Sequence, residues 1–178
     1  MFKNSSDAYG SGTKLFHWIS AVIVIGLLAA GLVMEDLPNG LLKLRTFLLH
    51  KSFGITILIL TILRILWHLH TKKPALVDSL KPWEKKLAHL GHIALYVLMI
   101  GMPLSGWIMS SAAGRPVSVF GLFTLPNLVA ENHDLKELFE DIHGLLGNAL
   151  IAVVALHIAA ALKHHFFDKD KTLRRMLP

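Results

Sequence analysis

Four of the eleven histidines in this 178-residue chain, His17, His50, His143 and His157, fall within or at the mouth of long apolar runs. His143 and His157 are 14 residues apart on the last run. In an α-helix that separation is almost four turns, so both imidazoles leave the same face about 21 Å apart along the axis. His17 opens the first run and His50 the second, and these two runs point in opposite directions across a membrane. Each membrane surface therefore receives one histidine from the first hairpin and one from the last helix, pairing His17 with His157 and His50 with His143. Histidine is costly in a bilayer unless it has a partner or a function. Two cross-helix pairs at two depths point to two bis-imidazole haems, since antiparallel neighbours can present imidazoles across a flat macrocycle. Zinc fits less well, because a structural site takes four ligands and a catalytic one usually three.

The elements that position these residues are apolar helices. Hydrophobic residues make up 53% of the chain and mean hydropathy is +0.54, beyond an ordinary soluble domain of this size. Stretches at about 15–34, 48–68, 87–109 and 141–163 approach or exceed the roughly 20 residues needed to cross hydrocarbon. The expected architecture is all-α, a single integral membrane four-helix bundle over residues 1–178. Residues 1–13 are polar and Gly/Ser-rich and read as a mobile tail. The first run is too long, and its basic flank too thin, for a cleaved secretory signal. Pro103 inside the third run is a kink that membrane helices tolerate. There is no cysteine, which excludes disulfides, thiolate-held iron–sulfur clusters and c-type haem attachment.

The net charge of +6 reads as topology, not as a nucleic-acid footprint. Lys3, Lys14, Lys72, Lys73, Lys81, Lys85, Lys86, Lys163, Lys169, Lys171, Arg174 and Arg175 fall on one side. Lys43, Arg45, Lys51, Arg115 and Lys136 fall on the other, among more acidic groups that include Glu35, Asp36, Glu131, Asp134, Glu137, Glu140 and Asp141. Positive charge is retained inside, so both termini are expected in the cytoplasm, with His50 and His143 at the outer depth. Trp18, Trp67, Trp83 and Trp107 lie near the predicted helix ends, as an interfacial aromatic belt requires.

Ala21, Gly54, Gly147 and Ala161 follow the four histidines by four residues and share their helix faces, leaving room for a porphyrin. Small residues also line ordinary membrane helix contacts. His89 and His92 face alike at the start of the third run and are rival ligands for the inner pair. His68 and His70 end the second run, His133 sits in a polar outer loop, and His164 and His165 stand at the inner edge, within reach of a quinone headgroup or of water. Arg115, in the Ala-Gly-Arg-Pro turn after the third run, is a candidate contact for a haem propionate or an anion such as superoxide. The alternative is a solvated loop arginine.

The His17–Trp18 pair, the segment from His50 to Gly54, AHLGH at 88–92 and GRPVSVFGLF at 114–123 appear in a specific order. With His143, His157 and KHHFFDKDKTLRRM at 163–176, this chain resembles the bacterial cytochrome b561 family over nearly its whole length. The resemblance implies two haem b groups, one ligated by His17 and His157 and the other by His50 and His143. It also implies a bacterial inner-membrane location and exchange with the quinone pool, with His164 as a quinone contact and ubiquinone as the second cofactor. Some members of the family oxidise superoxide at the periplasmic face. The expected function is electron transfer across the membrane between quinone and a periplasmic redox partner. A superoxide:quinone oxidoreductase and a membrane-anchor subunit of a larger redox complex remain the alternatives.

Overall fold

A computed structural model describes residues 1–178 apart from 6, 7, 73, 76, 78, 79 and 178. Lys73, one of the basic residues counted above, lies outside the described residues. Four helices dominate: α1 (Ser11–Val33), α2 (Leu41–His70), α3 (Pro82–Ala112) and α4 (His133–Phe166). Each is long and apolar enough to cross a membrane. All four begin before the expected spans, and α2, α3 and α4 also end beyond them, because helix can continue past the apolar run into polar sequence. Asn132 accepts a hydrogen bond from Leu135 N at 2.8 Å and starts α4 a full two turns before the hydrophobic stretch. His133, expected in a loop, is consequently the first residue of that helix. Pro82 and Glu84, whose carboxylate accepts from Lys81 N at 3.0 Å, start α3 in the same way.

Many large apolar side chains face outward: Val22, Leu32, Val97, Leu145 and Leu156 are all exposed. The interior combines an apolar cluster with buried hydroxyls at Ser20, Ser52, Thr61, Ser105, Ser110 and Ser111. This arrangement suits a lipid solvent, where helices associate through small and hydroxylated faces. Thr61 and Ser52 donate to the carbonyls of Ile57 and Leu48, one turn earlier, so these two buried hydroxyls are satisfied within their own helix. Extensive backbone packing joins α1 to α2, α2 to α3 and α3 to α4; α4 has none of comparable extent with α1 or α2. The α4 backbone therefore stands back from the α1–α2 face, and at mid-depth side chains such as Val24, Ile57 and Leu150 fill the gap.

Both chain termini lie at one end of the bundle, here termed the inner end. The N-terminal segment, expected to be mobile, folds back on this end. Ser11 N donates to Met1 O at 3.0 Å, and Asn4 Oδ1 accepts from Gly10 N at 2.9 Å and from Thr13 Oγ1 at 2.8 Å. Phe2 packs edge-on against Trp67, with centroids 5.2 Å apart. The C-terminal segment joins it, since Trp18 Nε1 donates to Met176 O at 2.8 Å. The polar composition concealed how many backbone groups Asn4 and Phe2 tie down.

At the outer end, β1 (Ser118–Val119) and β2 (Phe123–Thr124) form a small antiparallel hairpin after α3. Helix α3 ends in a left-handed glycine, Gly114 at φ 64°, with Arg115 N bonded to Ser110 O and Gly114 N to Ser111 O, both at 3.0 Å. A Cβ at Gly114 would lie 2.8 Å from a Glu131 carboxylate oxygen. Gly114→Ala should therefore cost about 1–2 kcal/mol, the penalty for a side chain in the left-handed region. Thermal unfolding of the detergent-solubilised protein would show this as a Tm lowered by several degrees.

Candidate haem-binding site

Each helix carries three residues spaced by seven along one face, and the four triplets build the site. Seven residues are nearly two turns, about 10.5 Å of rise. On α1 the triplet is His17, Val24 and Gly31; on α2 it is His50, Ile57 and Arg64. On α3 it is His92, Met99 and Gly106; on α4 it is His143, Leu150 and His157. Because neighbouring helices are antiparallel, these positions assemble into an outer layer, a middle layer and an inner layer.

In the outer layer the rings of His50 and His143 face each other with centroids 6.3 Å apart and planes at 74°. Their neighbours are glycines. A Cβ on Gly31 would meet His50 Cε1 at 3.5 Å, and one on Gly106 would meet His143 Cε1 at 3.0 Å. His143 Nδ1 lies 3.2 Å from the Met102 carbonyl and 3.0 Å from Ser105 Oγ. A carbonyl only accepts, so Nδ1 carries the proton and the Nε2 lone pair is free for a metal. His50 Nδ1 is buried without a hydrogen-bond partner. The cleft around both rings encloses about 830 Å³, including space open to its surroundings, and is walled by Val24, Leu28, Gly54, Met99 and Trp107 among others.

The middle layer is the apolar core. Val24, Ile57, Met99 and Leu150, with Leu98, form one buried cluster. In the inner layer His17 and His157 have centroids 6.2 Å apart and planes at 59°. His92 lies on the far side of His157, with centroids 5.7 Å apart, so all three rings share this layer. Arg64 completes it, its Nη2 3.4 Å from His17 Nδ1.

These pair distances fit two imidazoles on one metal. An imidazole nitrogen lies about 2.0–2.1 Å from a first-row metal and its ring centroid about 1.1 Å farther. Trans imidazoles thus place their centroids about 6.2–6.4 Å apart, as both pairs do here. The donor set is right for an iron porphyrin, and beside the outer pair the cleft gives it space.

The other candidates fall outside these layers. Arg115 sits at the outer end, where Ser110 Oγ accepts from Lys51 Nζ at 2.7 Å and donates to the Arg115 carbonyl. Lys51, read from sequence only as one of the outer-side charges, lines the His50–His143 cleft; its place directly after His50 was the available clue. His164 stands at the inner edge, its Nδ1 2.8 Å from Asp168 and 2.9 Å from Asp170. Burial pushes Asp170 up, but hydrogen bonds from Thr172 and His164 outweigh it and hold the carboxyl below its usual range. Glu84, His164 and Asp168 converge to within 4.8 Å. Lys163 Nζ already bridges Glu84 and Asp168, at 2.8 Å from each, so the cluster is neutralised without a metal ion.

Gly106 is the closest backbone approach to a paired histidine. Gly106→Val should displace the His143 ring and lower bound haem per chain, measured by absorbance of the purified protein. Gly144→Ala, where a Cβ meets nothing within 4 Å, should retain full haem content.

Comparison with known proteins identifies relatives of this chain. The family model described as prokaryotic cytochrome b561 matches residues 8–178. The chain is 38% identical over 178 residues to cytochrome b561 homolog 2 of Escherichia coli (strain K12), covering 99% of this chain and 94% of that protein. It is 32% identical over 173 residues to cytochrome b561 homolog 1 of the same organism, covering 94% of this chain and 96% of the relative. A probable superoxide oxidase CybB of Yersinia pestis is 39% identical over 131 residues, 74% of each chain. The four apolar helices and the full-length match make this chain a multi-pass membrane protein that belongs to the prokaryotic cytochrome b561 family of haem b electron-transport proteins.

Proposed function

We propose that the chain holds two haem b groups and carries electrons across the bacterial inner membrane between the quinone pool and a periplasmic donor or acceptor. The observation that carries this reading is the pair of imidazole contacts, 6.2 Å for His17–His157 and 6.3 Å for His50–His143. They lie in two layers about 21 Å apart. Held by His17 and His157 and by His50 and His143, haem b would supply one-electron chemistry, and two imidazoles on each iron would favour electron transfer over oxygen binding.

The chain's own residues hold, separate and shield. His143 is oriented by the Met102 carbonyl, and glycines at 31 and 106 let the backbone approach the outer imidazoles. Val24, Ile57, Met99 and Leu150 keep water from the space between the layers. Termini in the cytoplasm, expected from the lysine and arginine distribution, make His17 and His157 the inner pair. At that edge His164 has its Nδ1 proton committed to carboxylates, leaving the Nε2 lone pair to accept from the hydroxyl of a quinol such as ubiquinol. Arg115 is the proposed propionate or anion contact at the outer end.

A superoxide:quinone oxidoreductase is the second reading. It is favoured by the name of the Yersinia relative and by Lys51, a cation that lines the outer cleft, with the Arg115 charge near enough to act on it. Cationic groups at a cleft mouth draw in anions.

A pyridine haemochrome assay on single variants tests the assignment. His50→Ala and His143→Ala should lose the outer haem, and His17→Ala and His157→Ala the inner one. His92→Ala should keep both. Retention of two haems in all four ligand variants would refute the assignment, and loss on His92→Ala alone would transfer the inner ligand to α3. Arg115→Ala should weaken outer haem retention and shift that haem's potential; unchanged values would remove the propionate role. Quinone reduction by added superoxide, without any partner protein, would establish the second reading.

A further inference from the structure

The inner layer differs from the outer in what its unpaired helices contribute. At the outer layer α1 and α3 present Gly31 and Gly106 to the histidines; at the inner layer α2 and α3 present Arg64 and His92. Arg64 follows His50 by 14 residues, so it shares that ligand-bearing face of α2 and points into the inner layer.

Its guanidinium has five N–H donors and no acceptor, yet it finds little to donate to. Nη2 lies 3.4 Å from His17 Nδ1, and the charge lies 5.7 Å from the centroid of the Tyr96 ring. Nε is buried without a hydrogen-bond partner. Among the described residues no carboxylate pairs with it, and Glu84, Asp168 and Asp170 at that end are engaged by Lys163 and His164. A cation within an apolar span normally faces a counter-charge or a water-filled path, and an aromatic face offsets only part of the cost. The contact with His17 does not survive ligation either. An imidazole that holds iron through Nε2 carries its proton on Nδ1, so donor would face donor.

We infer that Arg64 is a carboxylate-binding residue of the inner layer, and that the carboxylate is a propionate of the porphyrin held by His17 and His157. The inference rests on the two-haem reading. The planar guanidinium matches a carboxylate through paired N–H donors, which a lysine ammonium cannot reproduce. The outer layer reaches the same end differently, with its cations Lys51 and Arg115 at the cleft mouth, so the two haems differ in how deeply their carboxylates are neutralised.

The test titrates the full-length apoprotein in detergent with haem b and with its dimethyl ester, whose esterified propionates carry no charge. Wild-type protein should take up two equivalents of haem b and bind the ester at least tenfold more weakly at the inner site. Arg64→Gln should weaken haem b binding for one equivalent by about tenfold, the scale of a charge-assisted hydrogen bond. Its ester affinity should be unchanged, and Arg64→Lys should recover part of the loss. Uptake of fewer than two equivalents by the wild type would defeat the two-haem reading and this inference with it. Two equivalents that bind haem b and ester equally would overturn the role of Arg64 alone, whether or not any variant folds. So would an Arg64→Gln protein whose preference for haem b over the ester is unchanged at both equivalents.

Discussion

Imidazole in hydrocarbon must be matched by something, and the arrangement of this bundle follows from that constraint. A histidine exposed to lipid tails has no water to satisfy its ring nitrogens. Four such residues meet in pairs here across the gap between α4 and the first hairpin, with backbone and small side chains drawn up around the outer pair. That gap exists because α4 packs its backbone closely only on α3. A tightly closed four-helix bundle would bury the same histidines against aliphatic side chains and leave no space for a planar group.

The seven-residue period ties the fold to the site. A helix rotates only slightly out of phase over seven residues, so a single face can serve three depths in turn. Val24, Ile57, Met99 and Leu150 are thus the residues that hold the bundle together and also those that separate the two histidine layers. Packing and insulation are one structural feature. The same economy appears at the ends, where Gly114 both stops α3 and sets the position of Arg115, and where the two terminal segments lie together over the inner layer.

Much of this was legible in the sequence because membrane helices leave few options. Apolar runs, lysine and arginine asymmetry and the 14-residue spacing of His143 and His157 were enough to give four antiparallel spans and the pairing of their histidines. Three things escaped. The helix ends were set by polar caps such as Asn132, which hydropathy does not see. The N-terminal segment looked free because its anchors, Phe2 and Asn4, are single residues making specific contacts. Arg64 is absent from the charge asymmetry because it falls inside the second apolar run, although its spacing from His50 equals that from His143 to His157. Reading all four helices at a seven-residue period would have placed it in the inner layer along with His92. His92 stays close enough to His157 that spacing alone does not choose between it and His17.

The central claim is that two separate imidazole pairs each hold one iron porphyrin. Low-temperature electron paramagnetic resonance of the oxidised, purified protein tests it most directly, because the signal reports both the number of haems and the nature of their axial ligands. The account predicts two distinct low-spin ferric signals of equal intensity, each of the bis-imidazole type and together integrating to two spins per chain. A single low-spin signal of one spin per chain, or a dominant high-spin ferric signal, would contradict it.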